Sequence, residues 1–308
     1  ETGLTDEEVD DVMWGCVRQV KEQGNNIARN IAILSELGEA VPGTTIDRMC
    51  ASSAQAIMSA SDAIRAGMRD AVIAGGVENM TRVQRDHTMH DVPGMAEKYD
   101  VDKLQMGMTA EEVAERHDIN REELDAYGAR SQQRAVAATE EGKFAEEIVP
   151  IEGHDEDGNE ITVTEDEGLR PGTTKDSISN LPPAFTEDGI VTAANSSQIS
   201  DGAAAVLVTS REFAKDHDLE VMAEVGYNNV AGVDPHVMGI GPIPATRGMM
   251  ERAGTTIDDY DLVELNEAFA SQTLYCQEEL GIPDDIFNVN GGAIAIGHPL
   301  GASGARLP

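Results

Sequence analysis

The first third of the chain alternates helical and extended patterns of apolar residues. Ile27, Ile31 and Leu34 recur with the spacing of one helix face, which predicts a helix within residues 24–37. The pattern then predicts a short strand at 44–46, a buried helix of small residues at 51–66 and a strand at 71–74. This strand–helix–strand order is typical of an α/β domain with a parallel sheet.

The segment before this pattern carries a helix-start signal. Thr5 is followed three residues later by Glu8, the spacing of a capping box in which the two residues satisfy each other's backbone N–H groups. We therefore expect a helix to begin here and to occupy residues 5–14.

The middle and last parts of the chain differ in character. Acidic residues alternate with Ala and Leu at 109–118 and 121–142, which predicts two amphipathic helices, and the strongly acidic stretch 140–167 predicts a surface excursion. Later elements are predicted as a strand at 202–209, a helix at 244–253, a strand at 261–265, a helix at 268–280 and a strand at 286–289. This order predicts two α/β halves with an inserted middle.

Composition excludes several classes of function. Among the 308 residues, 57 Asp and Glu against 22 Lys and Arg give a formal charge of −35, while 40% of residues are apolar, too many for a disordered acidic chain. So negative a protein lacks the basic stripe that binds nucleic acid, and it would be repelled by anionic lipid. No apolar run is long enough to span a bilayer. The acid excess and scarcity of Lys favour a cytoplasm of high salt concentration, where the charge is screened.

Cys50 is the first candidate for chemistry. It lies between a predicted strand and a predicted helix and is followed by small residues, so its thiol meets the positive end of a helix, which favours the thiolate. A buried structural cysteine is the alternative. Three cysteines without Cys-x-x-Cys spacing exclude a disulfide framework and a cysteine-rich zinc site, and we expect no metal.

Two polar residues accompany this thiol as candidates. His298 lies in the glycine-rich segment 290–304, where backbone approaches a ligand closely and an imidazole can exchange a proton near neutral pH. No Lys follows in P-loop spacing, and a tight structural turn is the alternative. Asn266 follows a predicted strand and can donate a hydrogen bond to a carbonyl or a water, but its residue type alone favours a helix N-cap over this role.

Several segments together resemble the thiolase family over nearly the whole chain. They are residues 47–55, 74–80, 195–205, 241–244, 266–269 and 291–301. The run 24–30 and the residues that follow Cys50 are most similar to the degradative 3-ketoacyl-CoA thiolases of β-oxidation. The resemblance implies an α/β thiolase fold: two similar βαβ halves in a layered αβαβα arrangement with an inserted loop domain. It divides the chain into an N-terminal half (1–80 with 200–220), a coenzyme A-binding loop domain (81–199) and an incomplete C-terminal half (221–308).

The resemblance also implies roles for residues. Cys50 matches the acyl-accepting cysteine, His298 the histidine that activates it and helps form an oxyanion hole, and Asn266 the asparagine that holds a water there. Coenzyme A enters as a substrate, and no permanent cofactor is expected. Its expected contacts are Arg170 and Ser177 on the nucleotide side, Ser197 at the pantetheine and Met238 in the substrate pocket.

The same resemblance leaves three readings of function open. Thiolysis of 3-oxoacyl-CoA is the first, supported by Gln105 where biosynthetic acetoacetyl-CoA thiolases carry His. Biosynthetic condensation of two acetyl-CoA molecules is the second, and an inactive thiolase-fold protein that binds acyl-CoA is the third. Related condensing synthases are disfavoured by Asn266, which they usually replace. Thiolase resemblance also implies a homodimer or homotetramer, and the composition predicts a cytoplasmic location.

The resemblance further predicts a sequence that is clipped at both ends. Thiolases carry a second catalytic cysteine in a Cys-x-Gly-x-Gly motif after the segment that matches 291–301, and that motif does not occur in the 308 residues. The first strand and helix of the family would precede Glu1.

Overall fold

A computed structural model describes residues 2–84, 89–154 and 157–307. Residues 155 and 156, within the predicted acidic excursion, lie outside this described part. The strands are β1 (Asp11–Gly15), β2 (Gly43–Ile46), β3 (Ala71–Glu78), β4 (Ile151–His154), β5 (Glu160–Val163) and β6 (Gly202–Thr209). The helices are α1 (Ile27–Leu34), α2 (Ser52–Arg65), α3 (Met95–Lys98), α4 (Met106–Arg116), α5 (Arg121–Glu140), α6 (Lys175–Ile178), α7 (Arg211–Asp216), α8 (Pro242–Ala253), α9 (Ala270–Leu280), α10 (Ala293–Ile296) and α11 (Ser303–Arg306).

The chain folds into two compact units, each assembled from separate stretches of sequence. The first unit comprises Glu1–Val92, Ile199–Asn229 and His298–Pro308. The second unit comprises Pro93–Gln198 and Val230–Gly297. Within the described ranges, no helix combines the length and the apolar content needed to cross a bilayer.

A four-stranded sheet forms the centre of the first unit, with strand order β2-β1-β3-β6. β1 runs parallel to both β2 and β3, so the strands predicted at 44–46 and 71–74 belong to one parallel arrangement, with the unpredicted strand β1 between them. β6 returns to the same sheet, as the pattern at 202–209 predicts, but it pairs antiparallel to β3 along its whole length, from Ala71 opposite Thr209 to Glu78 opposite Gly202. The polar C-terminal end of β3 therefore lies beside the start of β6.

Two glycines allow close packing of other backbone segments against the C-terminal ends of the central strands β1 and β3. A Cβ on Gly15 would lie 2.4 Å from the backbone nitrogen of Ser53, and one on Gly76 would lie 1.9 Å from the carbonyl oxygen of Gly301. Both distances are far below contact, so only glycine fits at these positions. As a result, the start of α2 and the segment after His298 both approach the ends of β1 and β3.

The predicted helix over residues 5–14 is wrong. Glu8 does accept hydrogen bonds from the Thr5 backbone nitrogen at 2.7 Å and from its hydroxyl at 2.8 Å, but these close a single turn. The chain then enters β1 at Asp11, because this strand is buried between two neighbours and Val12 is fully enclosed. Sheet pairing and burial outweigh the local helix signal here.

The second unit is built mainly of helices packed around one apolar cluster. Its most enclosed members include Leu124 of α5, Ala270 and Cys276 of α9, and Phe287. The helices predicted at 109–118, 121–142, 244–253 and 268–280 are confirmed as α4, α5, α8 and α9. An exposed two-stranded hairpin, β4 with β5, occupies part of the predicted acidic excursion.

The two strands predicted at 261–265 and 286–289 reduce to one parallel bridge between Val263 and Phe287. The strand pairing does not extend further, because the side-chain amide of Asn288 forms hydrogen bonds with both the backbone N–H and the carbonyl of Leu265. Its oxygen accepts from the Leu265 nitrogen at 2.8 Å, and its nitrogen donates to the Leu265 carbonyl at 2.9 Å. A side chain thus replaces the next strand–strand hydrogen bonds.

Candidate active site

Cys50 lies in the first unit, at the tight turn between β2 and α2. The residue before it, Met49, has a φ of 50°, in the left-handed region that bulky side chains rarely adopt. This conformation is held locally, since the Met49 nitrogen donates to the Asp47 carboxylate at 2.8 Å. The Cys50 side chain is half-buried and lies just ahead of the first turn of α2, where the helix dipole favours negative charge.

Ser52 closes this turn from inside. Its fully buried hydroxyl accepts from the Arg48 nitrogen at 2.9 Å and donates to the Met49 carbonyl at 2.6 Å. The backbone nitrogen of Ala51 also donates to the Arg48 carbonyl at 3.1 Å. The nucleophile candidate is therefore carried on a turn in which the backbone of Arg48, Met49 and Ala51 is hydrogen-bonded.

The other two cysteines differ from Cys50 in burial. Burial raises the pKa of the Cys276 thiol to about 12, and burial together with the negative charge of Glu78 raises that of Cys16 to about 12. Both side chains therefore remain thiols at neutral pH and are inert. Of the three cysteines, Cys50 is the one that is partly exposed, which favours the nucleophile interpretation over a structural one.

His298 also lies in the first unit, immediately before α11, and its side chain is 3% exposed. Burial, with a smaller contribution from the positive charge of Arg306, lowers the pKa of its imidazole to about 4. At neutral pH the ring is thus uncharged and able to accept a proton. Its Nδ1 lies 2.6 Å from the Ser303 hydroxyl, and its backbone nitrogen donates to the Ser200 hydroxyl at 3.3 Å.

The loop that carries His298 is anchored by a buried carboxylate, Glu78 at the end of β3. One carboxylate oxygen accepts from the nitrogens of Gly301 and Val17, each at 3.0 Å. The other oxygen accepts from the Arg18 nitrogen at 3.0 Å and from the Gln23 side-chain amide at 2.9 Å. Glu78 is fully enclosed, so these four N–H groups take the place of water around its charge.

Sequence reasoning included Glu78 within a matched segment but assigned it no role. The signal available in the sequence was an acidic residue ending an otherwise apolar strand, residues 71–78. A carboxylate in such a position is either at the surface or surrounded by donors, and the pattern alone does not separate these cases. The donors come from positions about 60 and 220 residues away in the chain, so no local spacing reveals them.

Asn266 lies in the second unit, on the segment that leads to α9. The structure excludes the helix-cap alternative, because α9 begins at Ala270 and its N-cap is Phe269. Asn266 is half-buried, and its backbone carbonyl accepts from the Gln272 side chain at 3.4 Å. It is thus placed by the backbone before the helix and serves no capping function.

A second buried carboxylate, Glu267, fixes the chain beside Asn266. Its oxygens accept from the Tyr127 hydroxyl at 2.8 Å, the Ser131 hydroxyl at 2.6 Å, the Asn288 amide at 3.1 Å and the Ile294 nitrogen at 3.2 Å. Burial and this carboxylate raise the pKa of Tyr127 well above its usual value, so the phenol stays a donor. Sequence reasoning also missed this role of Glu267.

The expected coenzyme A contacts all lie in the second unit. Arg170 lines a cavity of about 200 Å³, although its guanidinium donates to the carbonyls of Glu167 and Leu169 at 2.9 and 2.8 Å. The Ser177 hydroxyl is exposed at the start of α6 and both accepts from and donates to the Thr174 backbone, at 3.0 and 2.8 Å. The Ser177 hydroxyl proton is thus used within the chain, whereas both of these Arg170 hydrogen bonds come from Nη1 alone.

The two remaining predicted contacts are half-buried. The backbone nitrogen of Ser197 donates to the Ala268 carbonyl at 2.9 Å, two residues after Asn266. Met238 lies in the short 3-10 helix Pro235–Ile240. Ser197 is thus brought next to the Asn266 segment. In the part of the chain that the structure describes, no cluster of three or more His, Cys, Asp or Glu is arranged to hold a metal ion.

Comparisons with known proteins cover both units. Residues 1–212 match the family described as "Thiolase, N-terminal domain", and residues 219–308 match "Thiolase, C-terminal domain". The 3-ketoacyl-CoA thiolase of Photobacterium profundum is 49% identical over 303 residues, which cover 97% of this chain and 78% of the relative. That of Aeromonas hydrophila is 49% identical over 308 residues, which cover 99% and 80%.

A solved structure gives the same result at the level of the fold. The crystal structure of the Bacillus anthracis acetyl-CoA acetyltransferase matches with a TM-score of 0.88 and 38% sequence identity. The match covers 99% of this chain and 80% of that chain.

Proposed function

Because the chain belongs to the thiolase family and has its fold, we propose that it is an acetyl-CoA C-acyltransferase that cleaves 3-oxoacyl-CoA with coenzyme A. The observation that carries this proposal is the pair formed by a partly exposed Cys50 at a helix start and a buried, uncharged His298 on an anchored loop of the same unit. The degradative direction is supported by relatives named 3-ketoacyl-CoA thiolase.

The proposed chemistry begins with proton transfer from the Cys50 thiol to His298. The thiolate attacks the 3-oxo carbon, and the resulting oxyanion is held by the protonated imidazole and, as the family resemblance implies, by a water on Asn266. The bond between C2 and C3 then breaks, which leaves the acyl group on Cys50 and releases the enolate of acetyl-CoA. Coenzyme A attacks the Cys50 thioester and leaves as the shortened acyl-CoA.

Protonation of the enolate is the one step without an assigned residue in this sequence. The family resemblance assigns it to the cysteine of a Cys-x-Gly-x-Gly motif, which the 308 residues do not contain. Acyl transfer between acetyl-CoA and Cys50 needs no such step, since a thioester is exchanged for a thioester. It is therefore the reaction that isolates the proposed roles of Cys50 and His298.

We expect the purified chain to become acetylated on Cys50 when it is incubated with acetyl-CoA and quenched in acid. Intact mass should rise by one acetyl group, and peptide mapping should place it on the Cys50 peptide. Addition of free coenzyme A should remove the label. Acetylation of Cys16 or Cys276, or none at all, would contradict the proposed nucleophile.

Substrate length separates the degradative role from the biosynthetic one. Gln105 supports turnover of longer 3-oxoacyl chains, so thiolysis of a medium-chain 3-oxoacyl-CoA should match or exceed that of acetoacetyl-CoA in kcat/KM. A strong preference for acetoacetyl-CoA would favour the biosynthetic role. Binding of acyl-CoA without any acyl transfer would favour the third reading, an inactive acyl-CoA-binding protein.

The residues proposed to contact coenzyme A are Arg170 and Ser177 on the nucleotide side, Ser197 at the pantetheine and Met238 at the acyl chain.

The proposal further includes a homodimer or homotetramer in a cytoplasm of high salt concentration, supported by family resemblance and by the charge of −35. Light scattering in concentrated salt tests the oligomer, and a monomeric mass would contradict it.

The charge makes coenzyme A binding sensitive to salt in an unusual direction. Coenzyme A is polyanionic, and a protein of charge −35 repels it at low ionic strength. At about 1 M salt the Debye length falls to about 3 Å, which removes most of this repulsion. We therefore expect the Kd for coenzyme A, measured by calorimetry, to fall as salt rises from about 0.1 M toward about 1 M. Steady weakening over that range would contradict the high-salt proposal.

A further inference from the structure

Nδ1 of His298 lies 2.6 Å from the hydroxyl of Ser303, within hydrogen-bond distance. Both side chains are enclosed, with exposures of 3% and 0%. For a ring so enclosed, the direction of this hydrogen bond decides which imidazole nitrogen carries the proton. That choice matters for catalysis, because a base must present an unprotonated nitrogen.

The direction follows from counting protons. A serine hydroxyl has one proton, and the Ser303 hydroxyl donates to the Pro299 carbonyl at 3.1 Å. The same carbonyl accepts the backbone nitrogens of Ala302 and Ser303 at 2.9 and 3.0 Å, so it is fixed at the first turn of α11. A hydroxyl whose proton is directed to this carbonyl offers His298 a lone pair, to which Nδ1–H can donate.

Ser303 is also rigidly placed relative to the helix that follows Cys50. Its neighbour Gly304 packs so closely on α2 that a Cβ there would lie 2.5 Å from the backbone nitrogen of Ala54. The short helix α11 is thereby set directly against the first turns of α2. Ser303 thus connects the His298 ring to the element whose N-terminus carries the nucleophile.

We propose that Ser303 is a positioning residue that holds His298 in the Nδ1–H tautomer, so that Nε2 is the nitrogen that accepts the Cys50 proton. The catalytic part of this proposal rests on the proposed acyl-transfer function, whereas the tautomer itself rests on the hydrogen bonds of the first unit. After proton transfer the ring carries N–H on both nitrogens, and the Nδ1–H bond to Ser303 remains as it was. The base is therefore prepared before the reaction and needs no rearrangement during it.

A hydroxyl suits this position in a way that a carboxylate would not. A carboxylate at Nδ1 stabilises the imidazolium and raises the pKa of histidine, while the neutral hydroxyl adds no charge. With Arg306 as the charged group that acts on the ring, the pKa of His298 stays low, at about 4. The imidazole is consequently orientated without being protonated in the resting protein.

Nuclear magnetic resonance of the chain labelled with ¹⁵N-histidine tests the tautomer directly. The His298→Gln variant identifies the His298 signals by their loss. In the unaltered protein at neutral pH we expect Nδ1 to show the shift of a protonated nitrogen and Nε2 that of an unprotonated one. In Ser303→Ala the two nitrogens should move toward a mixed population, and Ser303→Thr, which keeps the hydroxyl, should restore the original pattern.

Acyl-transfer kinetics supply the second readout. Ser303→Ala should lower kcat about ten- to a hundredfold with little change in KM, because it disturbs the base and leaves substrate contacts alone. Ser271→Ala is the matched control, since it deletes an equally buried hydroxyl that donates to the Ala110 carbonyl at 2.9 Å in the second unit. This control should retain the original kcat and tautomer.

Two results would overturn the proposal. One is an Nε2–H tautomer in the unaltered protein, a measurement that requires no variant to fold. The other is a Ser303→Ala variant with unchanged tautomer and unchanged kcat. Because the tautomer is read without substrate, failure of the acyl-transfer function would be seen separately, as absence of acetylation at Cys50 with the Nδ1–H pattern intact.

Discussion

Replacing Cys50 with alanine is expected to lower the rate of 3-oxoacyl-CoA thiolysis by about 10⁴-fold or more, since the covalent acyl intermediate is lost. The loss should fall on kcat, with acyl-CoA binding retained. The fold should survive, because Cys50 is half-buried and the turn around it is held by Ser52 and Asp47 through backbone hydrogen bonds. A coupled assay of acetyl-CoA release measures the rate, and calorimetry measures retained binding.

Cys276→Ala is the matched control for this substitution. It makes the same change, from a thiol to a methyl group, at a fully buried position in the second unit, where burial raises the thiol pKa to about 12. It should lower the Tm through a small cavity while leaving kcat within about twofold. Wild-type thiolysis by Cys50→Ala, or equal losses in the two variants, would show that another group carries the acyl chain.

The position of the candidate nucleophile was predictable because it follows from local pattern. A β-type run at 44–46 and a helix of small residues from 51 leave Cys50 at a strand-to-helix turn, and the structure confirms both elements. The left-handed Met49 was not predictable, since nothing in its type favours that conformation. The hydrogen bonds of this turn to the side chains of Asp47 and Ser52, visible in three dimensions, explain how it is maintained.

The mistaken predictions share one physical cause. The helix expected from Thr5 and the strand expected at 286–289 both rest on local signals that distant partners override. Residues 11–15 form strand β1 because they pair with β2 on one side and β3 on the other. The strand pairing that begins at Val263 and Phe287 stops there because the Asn288 amide hydrogen-bonds to the next backbone groups. The residues near each element in the sequence include neither partner, so the local pattern could not predict how these segments pair in the folded chain.

The buried carboxylates show the same limit at the site. Glu78 and Glu267 each accept four hydrogen bonds from groups scattered along the chain. Residue type and neighbours indicate an acid near a strand end or beside Asn266, but they do not indicate burial. Both acids fix the segments that carry candidate catalytic residues, and for Glu78 the consequence is directly testable.

Glu78→Gln is expected to lower the free energy of unfolding by about 3 kcal/mol or more. The substitution keeps the shape of the side chain but turns one oxygen into an NH₂ group. Each oxygen of Glu78 faces two N–H donors, so the new amide must oppose a pair of donors and leave them without an acceptor. Release of the Gly301 nitrogen should also loosen the His298 loop and slow alkylation of Cys50 by iodoacetamide about tenfold.

Asp11→Asn provides the matched control in the same unit, because it makes the same change of charge at the opposite end of the parallel strands. Asp11 is buried, its carboxylate lies 3.6 Å from the Arg69 guanidinium, and burial raises the pKa of its carboxyl. Neutralising it should change the free energy of unfolding by less than about 1 kcal/mol and leave Cys50 alkylation unaltered. Denaturant unfolding and alkylation rates measure both effects. If Glu78→Gln behaves like Asp11→Asn in both assays, the buried carboxylate does not anchor the His298 loop.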